Sequence, residues 1–208
     1  IIMKTKILYI HPAIRTYRVG IFEILSKTLN VDFFWSGKSK PGTYVSEEID
    51  RILDKTTIGY TQANELHNLP IDNFSWGLFK LPFQGYKVYI FSNITSVPYL
   101  LLAPFLRLLG KKIILFDELW RYPKEVKKYN KIYPYVKFLT KYCLDGVVVA
   151  GSRTKEFFIE EFGFDKNRIE IAYNTTIDTS EYVKDEILNQ TIKNKITKIT
   201  SKKRLLYL

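Results

Sequence analysis

The sequence is poor in the residues that most often carry covalent, redox or metal chemistry. Its 208 residues include one cysteine and two histidines. Cys143 alone cannot form an internal disulfide, so a reducing compartment is the simple reading. It sits on an apolar helical face with no histidine near it in sequence, which points to core packing rather than nucleophilic catalysis. His11 and His67 have no metal-ligand spacing with each other or with Cys143, and no metal is expected. A G-x-G-x-x-G fingerprint is absent after the first strand-like run, which removes the usual dinucleotide signature. Long hydrophobic runs are missing too. The longest, 97–109, is too short to cross a bilayer and is interrupted by Pro98 and Pro104. No leader is legible, because the chain turns polar after Met3.

Acidic residues are also scarce. There are 21 against 32 basic ones, a formal net charge of +11. That balance suits an anionic partner: nucleic acid, a phosphorylated small molecule or an acidic lipid surface. What is abundant is apolar material, 46% of residues with 15% aromatic. A chain of this size and composition buries a full core, which excludes wholesale disorder.

Apolar runs at 6–10, 31–35, 88–91, 113–116, 147–150 and 169–173 are nearly continuous rather than alternating. Strands covered on both faces read that way. Segments between them have helical spacing. Ile21, Phe22, Leu25 and Leu29 share one face, as do Ile132, Tyr135, Val136, Leu139 and Cys143. Ser96 can cap a helix reaching Gly110, apolar nearly all round and therefore expected to be deeply packed. Ser152 can cap another, with Phe158, Ile159 and Phe162 inward and Gly163 at its end. The expected fold class is α/β: a doubly wound, mostly parallel sheet with helices on both faces.

Residues 38–85 are less legible. A helix is compatible with 46–53, a strand or irregular excursion with 58–69, and a loop with 77–85. At the other end, 181–200 is polar and helix-compatible, and 202–208 reads as a basic lead-in to a buried strand. The domain reading is therefore 1–180 as one Rossmann-like domain, with 181–208 as a linker helix and the first strand of a second. A terminal edge strand of the same sheet is the alternative.

In such a sheet, ligands bind beyond the carboxyl ends of the strands. Those ends bring His11, Asn93, Asp117, Glu118, Ser152 and Asn174 towards one edge. Arg15, Arg18 and Gly20 precede a helix N-terminus, a setting for phosphate or carboxylate, unless the arginines are only solvated. Asp117 and Glu118 could orient or deprotonate an acceptor hydroxyl, or else cap a helix. Trp120 could stack on a sugar, or else pack inward. Ser152 with Arg153 forms an anion-ready corner, or a plain cap. Between Arg121 and Tyr142, seven basic residues and interleaved tyrosines face one acid, Glu125, a pattern suited to anionic headgroups or single-stranded nucleic acid as well as to a solvated helix.

Taken together, the order and spacing resemble the N-terminal domain of GT-B glycosyltransferases, particularly the family 4-like group. Pro12, Tyr17 and Arg18 look like that group's P-x-x-x-x-Y-R loop. The D-E-x-W run from Asp117 to Trp120 looks like its acceptor-side loop, and 147–152 resembles its V-x-x-x-S segment. Residues 168–178 are similar to its I-x-V-I-x-N-G-I-D segment. Two positions depart from the pattern: Thr175 stands where a glycine is usual, and the glycine pair after the first strand is missing, with Gly20 nearby.

The resemblance implies the acceptor-binding half of a nucleotide-sugar-dependent hexosyltransferase, retaining and metal-independent, acting on a polysaccharide or lipid-linked glycan. It implies no cofactor beyond the nucleotide-sugar substrate, which the missing C-terminal domain would mostly hold, and little activity for this part alone. Asp117 and Glu118 would be catalytic. His11, Arg15, Arg18, Gly20, Asn93, Trp120, Ser152 and Asn174 would bind substrate, with Asn174 at the interdomain hinge. A cytoplasmic location, peripheral on the inner membrane face, follows from the same resemblance. The alternatives are another GT-B-like nucleotide-sugar enzyme, such as an epimerase, and a non-catalytic basic module for nucleic acid or anionic lipid; nucleic acid is the weaker partner.

Overall fold

The computed structural model describes residues 5–11, 19–35, 60–62, 76–122 and 126–173. Contacts divide the chain into Ile1–Thr175 and Thr176–Leu208, and every described residue belongs to the first unit. The expectations for 38–59, 63–75 and 181–208, as well as for Arg15, Arg18 and Asn174, fall outside the described residues.

Seven strands form one sheet: β1 (Ile7–His11), β2 (Val31–Trp35), β3 (Tyr60–Gln62), β4 (Val88–Ser92), β5 (Lys112–Asp117), β6 (Gly146–Val149) and β7 (Ile169–Ile171). Their order is β3-β2-β1-β4-β5-β6-β7, and every neighbouring pair is parallel. Six of these are the runs read from sequence. The seventh, β3, is three residues long and pairs Phe33 with Tyr60. The helices are α1 (Val19–Thr28), α2 (Val97–Leu108), α3 (Lys127–Tyr142) and α4 (Ser152–Phe162).

The two faces of the sheet bury separate cores, as a period of two requires. Tyr9 and Phe33 pack with Phe22 of α1 and the partly buried Ile90 and Phe116. The opposite face gathers Leu8, Ile10, Tyr89, Phe91, Leu115 and Val149 against α2, α3 and α4. Right-handed crossovers put α1 on one side and the other three on the other, because strand order runs outward in opposite directions from β1 and β4. Each fully buried Leu, Ile or Phe contributes roughly 1.5–3 kcal/mol.

Several local expectations change. Residues 77–85, expected as a loop, contain a 3₁₀ helix, Trp76–Phe83, whose Leu78 and Leu81 are buried. Two glycines and Pro82 obscured that inward pair. Ser96 does precede α2, with Pro98 in its first turn. The helix is not deeply packed all round, however: Leu101, Phe105 and Leu108 are exposed, because only one side faces the sheet. On α3, Val136, Leu139 and Cys143 are buried as expected, and burial pushes the Cys143 thiol up. Tyr135 departs from that stripe; its hydroxyl donates to the Leu100 carbonyl of α2 at 2.8 Å. The cap of α4 is Gly151 rather than Ser152, which is the first helical residue. Phe158 and Phe162 point inward while Ile159 is exposed, and Phe157 and Thr154 take the remaining inward positions. Gly163 closes α4 at φ 63°, a left-handed conformation that favours glycine.

Candidate functional site at the carboxyl edge of the sheet

Connections leave β1 and β4 towards opposite edges of the sheet, so the crevice beyond these two strands is the topological switch point, where doubly wound sheets bind ligands. His11 ends β1. It is buried, with its ring against Phe22 at 5.7 Å and Tyr9 at 6.0 Å. Ser92 ends β4, and its hydroxyl reaches the Tyr9 hydroxyl at 3.4 Å. Asn93 follows at φ 73°, and its side-chain oxygen accepts from both the amide and the hydroxyl of Thr95, 2.8 Å each. That Asx turn offsets the cost of a left-handed residue that is not glycine. Its amide donates to Phe116 O of β5 at 3.1 Å, so the loop after β4 is fixed to the neighbouring strand.

Asp117 completes this fixing. It is buried, and its two oxygens accept from Ile94 N at 2.6 Å and Leu119 N at 2.7 Å. Burial pushes its carboxyl up to about 6, and those two N–H bonds pull in the other direction. Expected as a catalytic group, Asp117 is placed as a tie between two edge loops. Glu118, next along, is exposed.

Trp120 stands out from the same loop, 60% exposed. It lines a groove of about 310 Å³ with Arg153, Glu156, Phe157, Glu160 and Glu161 of α4. Beneath the groove, the Tyr133 hydroxyl of α3 donates to Glu161 Oε1 at 2.5 Å, and burial together with Glu161 pushes its pKa up to about 12. One arginine against three carboxylates makes the groove formally acidic within a basic chain. A half-exposed indole beside carboxylates and a guanidinium suits a neutral polyhydroxylated ligand. The ring offers a flat apolar face, and the charged groups take up hydroxyls as acceptors and donors.

The structure thus joins Asn93 and Asp117 in one loop cluster, and Trp120 with Arg153 in the groove. Ser152 is exposed at the start of α4, and Gly20 lies in the first turn of α1. The glutamates of α4 were missed in the sequence. Their signal was the spacing 153, 156, 160 and 161, the flank of one helix rather than its inward stripe.

No family model matches the chain, and no curated protein does. Solved structures do. The Anabaena protein HepE in complex with UDP is similar at TM-score 0.62 and 12% identity, over 91% of this chain and 50% of that one. A UDP-N-acetylglucosamine 2-epimerase from Rickettsia bellii is similar at 0.56 and 11%, over 93% and 51%. A glycosyltransferase from Rickettsia africae gives 0.53 and 14%, over 98% and 51%. The fold is the Rossmann-like half of the GT-B type. The chain spans about half the length of the structures it matches.

Proposed function

We propose that this chain is the acceptor-binding half of a nucleotide-sugar-dependent glycosyltransferase. The observation that carries the reading is the Trp120 groove, an acidic, aromatic-walled cleft beside the carboxyl edge of a GT-B-type sheet. Three carboxylates repel a nucleotide diphosphate but accept hydrogen bonds from vicinal hydroxyls. The groove is therefore an acceptor-glycan subsite, and the nucleotide-sugar is held elsewhere, by the missing C-terminal domain. Glu118 is the exposed carboxylate for orienting an acceptor hydroxyl, whereas Asp117 acts by positioning its loop. Retention of configuration, independence from metal, a polysaccharide or lipid-linked acceptor, and a cytoplasmic site of action belong to the same proposal.

The test is saturation-transfer NMR with oligosaccharides and with UDP-sugars on the 208-residue chain, beside an assay of sugar transfer. Glycan contacts that vanish in Trp120→Ala, with negligible turnover, are expected. Robust transfer by this chain alone removes the half-enzyme reading. Likeness to a 2-epimerase supports a second reading, for which an epimerised sugar in the same assay is the sign.

A further inference from the structure

A third element stands behind the two walls of the Trp120 groove, and one of its residues touches the support of both. Two residues beyond Trp120, Tyr122 turns inward and is buried, and its hydroxyl donates to Tyr129 O of α3 at 2.7 Å. One turn further along α3, the Tyr133 ring meets the Tyr122 ring edge-on, with centroids 4.8 Å apart. The Tyr133 hydroxyl reaches the opposite wall, where it donates to Glu161 Oε1 at 2.5 Å. Phe162 of α4 contacts both tyrosines, its ring 6.3 Å from Tyr122 and 6.2 Å from Tyr133. Phe157, which lines the groove, packs on Phe162 at 5.3 Å. The support of the groove is thus an aromatic cluster, and Tyr133 is the member whose hydroxyl meets a groove carboxylate.

The three carboxylates of the groove are not alike. Glu156 and Glu160 are exposed, whereas Glu161 is partly buried. An exposed glutamate gives up rotamer freedom when it meets a ligand, but one already held by a hydrogen bond has given it up beforehand. A carboxylate has about four lone-pair sites, so one bond from Tyr133 orients Glu161 without exhausting it. Tyr133 stays a donor across the working range, because burial and then Glu161 push its pKa up to about 12. Its ring is itself held, by Tyr122 on one side and Phe162 on another, so the hydroxyl has a fixed direction. We infer that Tyr133 is a positioning residue for acceptor recognition, which presets the Glu161 carboxylate to accept a hydroxyl of the bound glycan. This inference rests on the acceptor reading of the groove. Tyr133 acts through Glu161 and does not itself touch the ligand.

The experiment is a double-mutant cycle, read by NMR titration of the 208-residue chain with maltotetraose, cellotetraose and chitotetraose. Tyr133→Phe keeps the ring packing and removes the bond, and Glu161→Ala removes the carboxylate. Tyr133→Phe is expected to weaken glycan binding roughly 3- to 10-fold, the span of one hydrogen bond. Glu161→Ala is expected to weaken it at least as much. Adding Tyr133→Phe to Glu161→Ala is expected to change nothing further, because the tyrosine acts only through that carboxylate. Thermal unfolding of each variant, followed in parallel, separates folding from binding. Full affinity in Tyr133→Phe, with binding lost in Trp120→Ala, overturns this inference and keeps the acceptor reading; a lowered unfolding midpoint alongside it marks a tie that serves the fold alone. Equal losses from Tyr133→Phe with and without Glu161 overturn it as well, since the tyrosine would then act on its own. If the unsubstituted chain binds none of the three glycans, the acceptor reading itself falls and takes this inference with it.

Discussion

The carboxylate of Asp117 accepts the Ile94 amide at 2.6 Å, joining the loop after β4 to the end of β5. Its other oxygen holds Leu119 N, one residue from Trp120. One buried side chain therefore sets the path of both loops that border the crevice, and their order depends on its protonation.

Asp117→Asn keeps one acceptor but turns an NH₂ group towards a backbone N–H. Against the ionised carboxylate that substitution costs about 1–3 kcal/mol. Burial lifts the folded carboxyl to about 6 from the ordinary 3.8, so the folded state keeps its proton to higher pH than the unfolded chain. The stability due to Asp117 is thus fully present below pH 3.8 and declines as pH rises through about 6. Urea unfolding at several pH values should show the gap between wild type and Asp117→Asn shrinking as pH rises. A widening gap would mean that the two N–H bonds outweigh burial.

Asn93 is held left-handed at φ 73° with its Asx turn to Thr95. Asn93→Ala loses both the turn and the tolerance for that conformation, a cost of roughly 1–3 kcal/mol. Asn93→Gly keeps the conformation and should recover about half of the loss. Thermal unfolding of the pair checks this. Equal losses in both variants would show that the side-chain bonds, not the backbone angle, matter there.

Asp145 sits at the amino edge, away from the crevice, where it accepts from Lys112 Nζ at 2.8 Å and Ile113 N at 3.0 Å. Burial alone would raise its pKa, but Lys112, the Ile113 amide and Arg107 hold the carboxyl below its ordinary value. The stability it contributes is present above the unfolded value of 3.8 and is lost as pH falls through the depressed folded one. Asp145→Asn should cost about 1–2 kcal/mol at neutral pH and much less in acid. Denaturation at pH 7 and pH 3 measures the difference, and a loss independent of pH would sink the assignment.

The sheet was legible because six strands are continuous apolar runs covered on both faces. Tyr60-Thr61-Gln62 was legible only as one of two options, a strand or an irregular excursion within 58–69, since three polar-leaning residues carry no period and gain their place by pairing with Phe33 to Trp35. The α2 helix exposed a limit of another kind: an all-apolar sequence says that a helix lacks a polar face, not what covers each side. At the candidate site, the sequence marked the strand ends, but exposure separated adjacent residues. Asp117, last in β5, turns inward to satisfy two backbone amides, while Glu118 faces water. Period and spacing carry no information on that choice, which is set by where the neighbouring loop leaves its N–H groups. The α4 glutamates were written in the sequence, yet became a wall of a groove only once Trp120 arrived opposite them from another loop.

Trp120 supplies the only aromatic face of that groove apart from Phe157, which is buried. At 60% exposure, its removal uncovers little core, so Trp120→Ala should change stability by less than about 1 kcal/mol. Loss of ring stacking should weaken glycan binding by roughly 10-fold or more, and Trp120→Phe should restore part of it. Glu160→Gln keeps the shape of the groove and removes one charge, which separates hydroxyl recognition from stacking. Titrating an oligosaccharide ligand by NMR against all three variants reads both effects. Unchanged affinity in Trp120→Ala would sink the proposal that the groove binds an acceptor.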